Sequence, residues 1–420
     1  RAHAKGMSFF ASLRMNDTHY KDQPFSPFLG QFYYDHLDDR IGEPAARTNT
    51  EFDYRKSAVR DYFLSPIRAC LERYDIDGLE LNFTRNCRFF PADHAEECAP
   101  IMTQFVRTVR HLLDEYGRKR GKSMHLCAMV PYSILGCRRE GVDLTAMARL
   151  GLIDSVAFSS PFLATLDHDI ADAMRNPACI EIYAGCDRNL RFGFDGASRV
   201  VPMQAYRAMA SNYLRHGADG IHLFNVMSWT MNYDKADAAV KRDGGQGETT
   251  GAPIDYDRRL IHELGDMDAL ADLDKLYIFA PNADSENGSL PIIVPAKGEA
   301  TVRLRIGDDI AAAEAAGRIA SIELQTVSPD CADQGNYTVC LNGIDLARQY
   351  AFVPFADSPE DVLLFPEPGR RGPLPKREHV RRHRVRANDL FTGVNHVTIR
   401  SYRAPRTTSD VEIAILFPLP

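Results

Sequence analysis

Two stretches of this chain follow the same local pattern, and that repetition constrains the fold more than any other feature. "LERYDIDGLELNF" (71–83) and "LRHGADGIHLFN" (214–225) each end a helix, turn at Asp-Gly and enter a strand. The helix before the first keeps a 3.6 period over 57–74 through Val59, Phe63, Ile67, Cys70 and Leu71. A second helix follows at 101–116, with Met102, Phe105, Val106, Val109 and Leu113 on one face. Short apolar segments at 9–14, 79–84, 124–130, 155–159, 180–184, 220–225 and 275–280 read as strands between such helices. Strand, helix, strand repeated this often means parallel pairing with right-handed crossovers. Six or seven βα units, with one missing in front of "RAHAKGM", which reads as the tail of a helix, predict an α/β (β/α)8 TIM-like barrel. The competing doubly wound sheet needs a Gly-rich turn after its first strand, and "LRMNDTHY" is not one.

The texture changes after residue 280. "PNADSENGSLP" reads as a linker, and the alternating segments at 300–306, 320–327, 337–341, 395–401 and 411–417 predict a C-terminal β-sandwich with a turn at Asn342-Gly343. The Ala-rich 309–316 is its one candidate helix. The expected organisation is a barrel over 1–280 and an accessory sandwich over 281–420. With 420 residues, two cores are expected in any case.

A net charge of −7 argues against a nucleic-acid partner. The Lys- and Arg-rich stretch from Arg370 to Arg386 reads first as a solvated loop and strand face, and second as a contact for an anionic polymer. No run of about 18 apolar residues spans a membrane. Nine scattered cysteines without a CxxC pair signal neither a disulfide framework nor zinc. "PADHAEE" and "TLDHDIAD" lack metal spacing, so no metal and no cofactor is expected. The glycine-rich 234–255 reads as a loop over the barrel mouth.

Chemistry in a barrel gathers at the C-terminal strand ends. There the sequence offers Arg14, Asn16, Asp17 and His19, then Glu80, Asn82 and Arg85, then Asp187, then Asn225. Aromatic residues Tyr20, Phe89, Phe90, Tyr132, Phe162, Tyr183, Trp229 and Tyr233 crowd the same ends. Acids with aromatic platforms suit a sugar, whose apolar faces stack and whose hydroxyls need polar partners. Glu80 interrupts the apolar run Leu79, Leu81, Phe83, and a buried carboxylate is costly unless it has a task or a partner. His222 is its equivalent in the second Asp-Gly unit, which allows a Glu80–His222 contact inside the barrel. The plainer reading of His222 is a buried structural pair. Asp77 and Asp219 precede their glycines at strand starts and read as turn formers.

"FFASLRMNDTHY", "SAVRDYFLSPIRACLERYDIDGLELNFTRNCRFF", "VPYSILGCRREGVDLTAMARLGLIDSVAFSSP" and "HGADGIHLFN" together resemble the bacterial family 10-like glycosyl hydrolases, in order and spacing, over most of 8–226. The resemblance implies a TIM-barrel glycosidase-like domain with an appended β-sandwich. Glu80, Arg85, Arg14, Asn16, Asp17 and His19 match its pattern. Two positions depart from it: Asn82 stands where the pattern has Asp, and Met129 where it has Arg. The Asn-Glu and Glu pair of the large retaining glycosidase clan is also absent, its strand ends here being Val130-Pro131 and Asn225.

The expectation is a secreted or periplasmic glycoside hydrolase acting on a polysaccharide or oligosaccharide. Glu80 is its general acid and Asp187 or Asp17 its base or nucleophile. Arg14, Asn16, His19, Asn82, Arg85, His222, Asn225, Trp229 and Tyr132 hold the carbohydrate. A non-catalytic carbohydrate-binding barrel and a polysaccharide lyase acting on a uronate-containing glycan are the alternatives.

Overall fold

The computed structural model describes residues 1–17, 26, 29–42, 51–84, 88–131, 133–159, 180–186, 189–191, 198–224, 259–279, 291–328, 336–349, 363–365, 374–408 and 410–418. Two compact units divide the chain: Arg1–Pro161 with Ile170–Ala184, and Phe162–Asp169 with Gly185–Pro420.

In the first unit, β1 (Phe10–Arg14), β2 (Gly78–Asn82), β3 (His125–Val130), β4 (Ser155–Phe158) and β5 (Glu181–Cys186) lie side by side in chain order, all parallel. The last two residues of β5 fall in the second unit, where β6 (Asn189–Arg191) pairs antiparallel with β7 (Ser198–Val200), β8 (Gly220–Leu223) is the sixth neighbour and Phe224 N donates to Cys186 O at 3.0 Å. Between β2 and its neighbours the chain forms α1 (Gln31–Asp35), α2 (Ser57–Arg73) and α3 (Ala99–Arg120). Helices α4 (Ile134–Arg139) and α5 (Leu144–Arg149) follow β3, each started by a side-chain cap, Ser133 Oγ accepting from Gly136 N and Asp143 Oδ1 from Ala146 N.

The period of two divides the sheet chemically. Leu79, Leu81, Phe83, Leu126, Ala128 and Val130 share one face and are fully buried, as are Met102, Val106, Val109 and Leu113 on the apolar stripe of α3. The other face carries polar residues. At its N-terminal end Gly78 has no room for a Cβ, which would meet His125 O at 2.4 Å and the Phe10 ring at 3.0 Å. The Phe10 and His125 rings stack at 5.2 Å across that glycine. The Asp-Gly signature is therefore a packing requirement here as well as a turn. Asp77 does more than turn the chain. Its carboxylate accepts from Phe9 N, His3 Nε2 and Lys122 Nζ at 2.7–2.9 Å, tying the entry of β1 to that of β3. Those donors hold the carboxyl well below the usual carboxylate range.

The second unit corrects one expectation. The segment at 275–280, read as a strand of the parallel sheet, is β9 (Lys275–Ile278). It pairs antiparallel with β18 (Asp410–Leu416) in a four-stranded sheet ordered β15-β12-β18-β9, with β12 at Ser321–Val327 and β15 at Val380–Val385. A second four-stranded sheet is ordered β11-β16-β13-β14, from Glu299–Ile306, Gly393–Ser401, Tyr337–Leu341 and Ile344–Asp345, and β10 (Ile292–Val294) pairs antiparallel with β17 (Arg406–Thr408). Asn342 and Gly343 both have positive φ in the tight turn between β13 and β14. The basic stretch is also reassigned where it is described, because Arg381, Arg382 and His383 lie buried in β15. Arg381 stacks on Tyr337 at 3.5 Å and donates to its carbonyl, and Arg382 donates to Gln325 Oε1. A strand whose cations turn inward is not a solvated basic face.

Helix α6 (Met203–Arg215) belongs to this unit. Asn212 donates to Arg305 O and Arg215 to Gly307 O, at 3.1 and 3.0 Å. The fully buried Lys275 reaches Asp308 at 3.1 Å, and Tyr277 and Ser211 also donate to that carboxylate. Burial pulls the Lys275 ammonium below its ordinary value against the attraction of Asp308.

Two measurements check this framework. A Cβ on Gly307 would meet Ser211 backbone atoms at 2.4 Å, so Gly307→Ala is expected to lower stability by about 2 kcal/mol or more in urea titration. Asp77→Asn is expected to lower the melting temperature by about 2–4 °C at neutral pH. Because the folded carboxyl titrates below its unfolded value, that contribution is present above pH about 4 and fades as pH falls further. The two melting curves should therefore converge in acid.

Candidate active site

The polar face of β1–β5 is ordered by register. Ser12, Glu80, Cys127, Ser155 and Glu181 are successive cross-strand partners, and Arg14, Asn82, Met129, Ala157 and Tyr183 form the next row toward the C-terminal ends. Glu80 is half-buried, between an exposed Ser12 and a buried Cys127. The Ser12 hydroxyl donates to Glu80 Oε1 at 2.6 Å. On the other flank the Cys127 thiol is pushed up to about 12, first by burial and then by the nearby Glu80 charge, so it stays protonated. Ser155 hydrogen-bonds that thiol and lies 2.8 Å from His125 Nε2. The carboxylate thus sits in a continuous polar row above the Phe10–His125 stack.

In the upper row Arg14 is exposed and pairs with Asp17 at 2.6 Å. Asn82 is buried, and its Oδ1 accepts from Thr84 N at 3.0 Å and Thr84 Oγ1 at 2.7 Å, which shapes the exit of β2. Asn82 and Met129 are cross-strand partners. The two positions at which the sequence departs from the resemblance therefore fall side by side, as a neutral amide and thioether.

The role expected of Asn16 is corrected. It is 1% exposed; its amide donates to Phe52 O and Arg88 O, and its Oδ1 accepts from Phe52 N. An amide committed in this way ties two loops and is not offered to a sugar. Beside it the Tyr54 hydroxyl donates to Met15 O, fully buried and with its pKa raised by that burial. Phe89 and Phe90, expected as stacking platforms, are core residues with 1% and 0% exposure, Phe89 lying edge-on to Tyr54 and Phe83. Tyr183 stays half-buried on the polar face and donates to Glu181 Oε2 at 2.8 Å.

His222 is half-buried on β8, in the second unit. His19, Arg85, Tyr132, Asp187, Asn225 and Trp229 lie outside the described residues, as do 234–255 and the aromatics Tyr20, Phe162 and Tyr233. Among the described residues no group of three or more His, Cys, Asp or Glu side chains could hold a metal ion. Sequence reading passed over Ser12 and Cys127. Their signal was the period of two: counted back from Arg14 and Met129, both fall on the face of Glu80.

No family model matches the chain, and no curated protein matches it. Among solved structures it is similar to the glycoside hydrolase domain of PelA from Pseudomonas aeruginosa, with 15% identity, 53% of this chain and 80% of that one covered, and a TM-score of 0.34. The α-amylase of Geobacillus thermoleovorans has 13% identity, coverage of 91% and 78%, and a TM-score of 0.36. A family 18 N-acetylglucosaminidase from Paenibacillus barengoltzii has 15% identity, coverage of 41% and 72%, and a TM-score of 0.30. These neighbours are glycoside hydrolases at low identity. The chemistry available here rests on the chain's own residues.

The Asn16 assignment is open to measurement. Asn16→Ala leaves three backbone groups without their partner, and a loss of about 3 kcal/mol in chemical denaturation is expected. A variant of unchanged stability would return Asn16 to the list of sugar contacts.

Proposed function

We propose that this chain is a glycoside hydrolase, built as a (β/α)8-type barrel with a β-sandwich accessory domain, that cleaves a polysaccharide or oligosaccharide with a pair of carboxylates including Glu80. The observation that carries the reading is the placement of Glu80. It is a half-buried carboxylate on the polar face of a parallel strand whose other face is apolar, beside an exposed hydroxyl and one row below Arg14 of the Arg14–Asp17 pair. Glycosidic bond cleavage needs one carboxylic acid to protonate the leaving oxygen and one carboxylate to activate water or attack the anomeric carbon. Asp17 and Asp187 are the candidates for the second carboxyl. A separation near 5–5.5 Å would retain configuration and about 6.5–9.5 Å would invert it. Arg14 and Arg85 suit sugar hydroxyls or a uronate carboxylate, and Trp229 and Tyr132 suit the apolar sugar face.

The test is reducing-sugar release from a panel of polysaccharides by the full chain and by Glu80→Gln, with binding followed in parallel. Turnover that falls by roughly 10²–10⁴-fold in the variant, with affinity retained, supports the hydrolase. Binding that is equal in both proteins without turnover in either replaces it with a carbohydrate-binding barrel. Products absorbing in the ultraviolet, from an unsaturated uronate, would replace it with a lyase.

A further inference from the structure

We propose that Ser12 is a positioning residue that holds Glu80 as the ionised member of the carboxylate pair, so that Glu80 serves as base or nucleophile and the second carboxyl supplies the proton. The assignment of roles rests on the hydrolase reading; the hydrogen bond and its effect on Glu80 do not. It also reverses the sequence-based expectation that Glu80 is the general acid.

The argument starts from register. Ser12 and Glu80 are cross-strand partners in a parallel pair, on one face of the sheet, so the backbone itself brings the hydroxyl to the carboxylate. The 2.6 Å separation falls in the range of a hydroxyl donating to an ionised carboxylate, about 2.5–2.7 Å. A donor of this kind stabilises the charged form and works against the protonation a general acid needs. Among the described residues, the other groups around Glu80 do not reverse this. Cys127 on β3 stays a neutral thiol, and Ser155 on β4 is neutral. His125 is one row below, against Phe10 and Ser155. Arg14 is one row above and favours negative charge, though it is shared with Asp17. Glu181 is three strands away along the row, roughly 14 Å at the usual strand spacing.

The ionised form fixes the step. In an inverting enzyme Glu80 takes a proton from water, the water oxygen bonds to the anomeric carbon, and the glycosidic C–O bond breaks. Its electron pair goes to the leaving oxygen, which takes the proton of the second carboxyl. In a retaining enzyme Glu80 Oε forms the new bond to the anomeric carbon itself, and the leaving oxygen is protonated in the same way.

Carbon-13 NMR of the full chain labelled at the glutamate carboxyl carbon reads Glu80 directly, its resonance assigned by its loss in Glu80→Gln. The wild-type midpoint is expected below about 4.3, the ordinary glutamate value. Ser12→Ala is expected to raise it by about one unit, and Ser12→Thr, which keeps the hydroxyl, to restore it. A wild-type midpoint above about 5, or a Ser12→Ala shift under about 0.3, overturns the proposal. Where turnover is found, the acidic limb of its pH profile must move with the Glu80 midpoint in Ser12→Ala, and a fixed limb overturns the assigned role. The titration needs no substrate, so a protein without turnover loses the hydrolase reading while the Ser12 result stands or falls separately.

Discussion

A carboxylate in the middle of a parallel strand is the constraint around which the first unit is arranged. Burying such a group without partners costs several kcal/mol, so a fold that keeps one must supply hydrogen bonds at fixed positions. Glu80 meets that demand through its cross-strand neighbour Ser12, and the row continues through Cys127 to Ser155 and His125. Because the side chains alternate, the same strands can be apolar on one face and carry Ser12, Glu80, Ser155 and Glu181 on the reverse. A slip of one residue in register would put Leu81 in this row and Glu80 among the helices. The polar row and the apolar core therefore fix the register together.

The polar residues near Glu80 divide into those that maintain the scaffold and those left for chemistry. Asn16 and Asp77 show how a polar side chain looks when the scaffold uses it, bonded to backbone groups and charged side chains of neighbouring segments. Asn82 shapes the turn at Thr84 and faces Met129, so Arg14 is the one charged side chain of the upper row. Arg14, Asp17, Glu80 and Tyr183 keep some exposure and form the part of the face that a ligand could meet.

Much of this was legible in the sequence, because it depends on local patterns. The 3.6 period of 57–74 became α2, and the Asp-Gly units marked the entries of β2 and β8. Turn chemistry placed the bend at Asn342-Gly343. Contacts that pair distant segments left no such trace. Nothing in "RFF" says that Phe89 turns toward Tyr54 and that both rings are buried and not turned toward solvent. Nothing local distinguishes an Asn16 that ties loops from one that meets a ligand. The segment at 275–278 has the composition of any buried strand, and only its pairing with β18 reveals its sheet. Ser12 was missed because a serine on an exposed edge acquires meaning only from the register with Glu80.

The seat of α6 bears on how such a chain could arise. Its helix is held by Arg305 O, Gly307 O and Asp308, and the close approach at Gly307 leaves no space for a side chain. The sheets after residue 290 thus share one packed unit with α6. They complete the burial of a helix that precedes β8. Recombination that swapped one C-terminal module for another would have to carry α6, or rebuild its lower surface, in the same event. Within this unit the helix and the sheets have to change together, residue against residue, at that buried face.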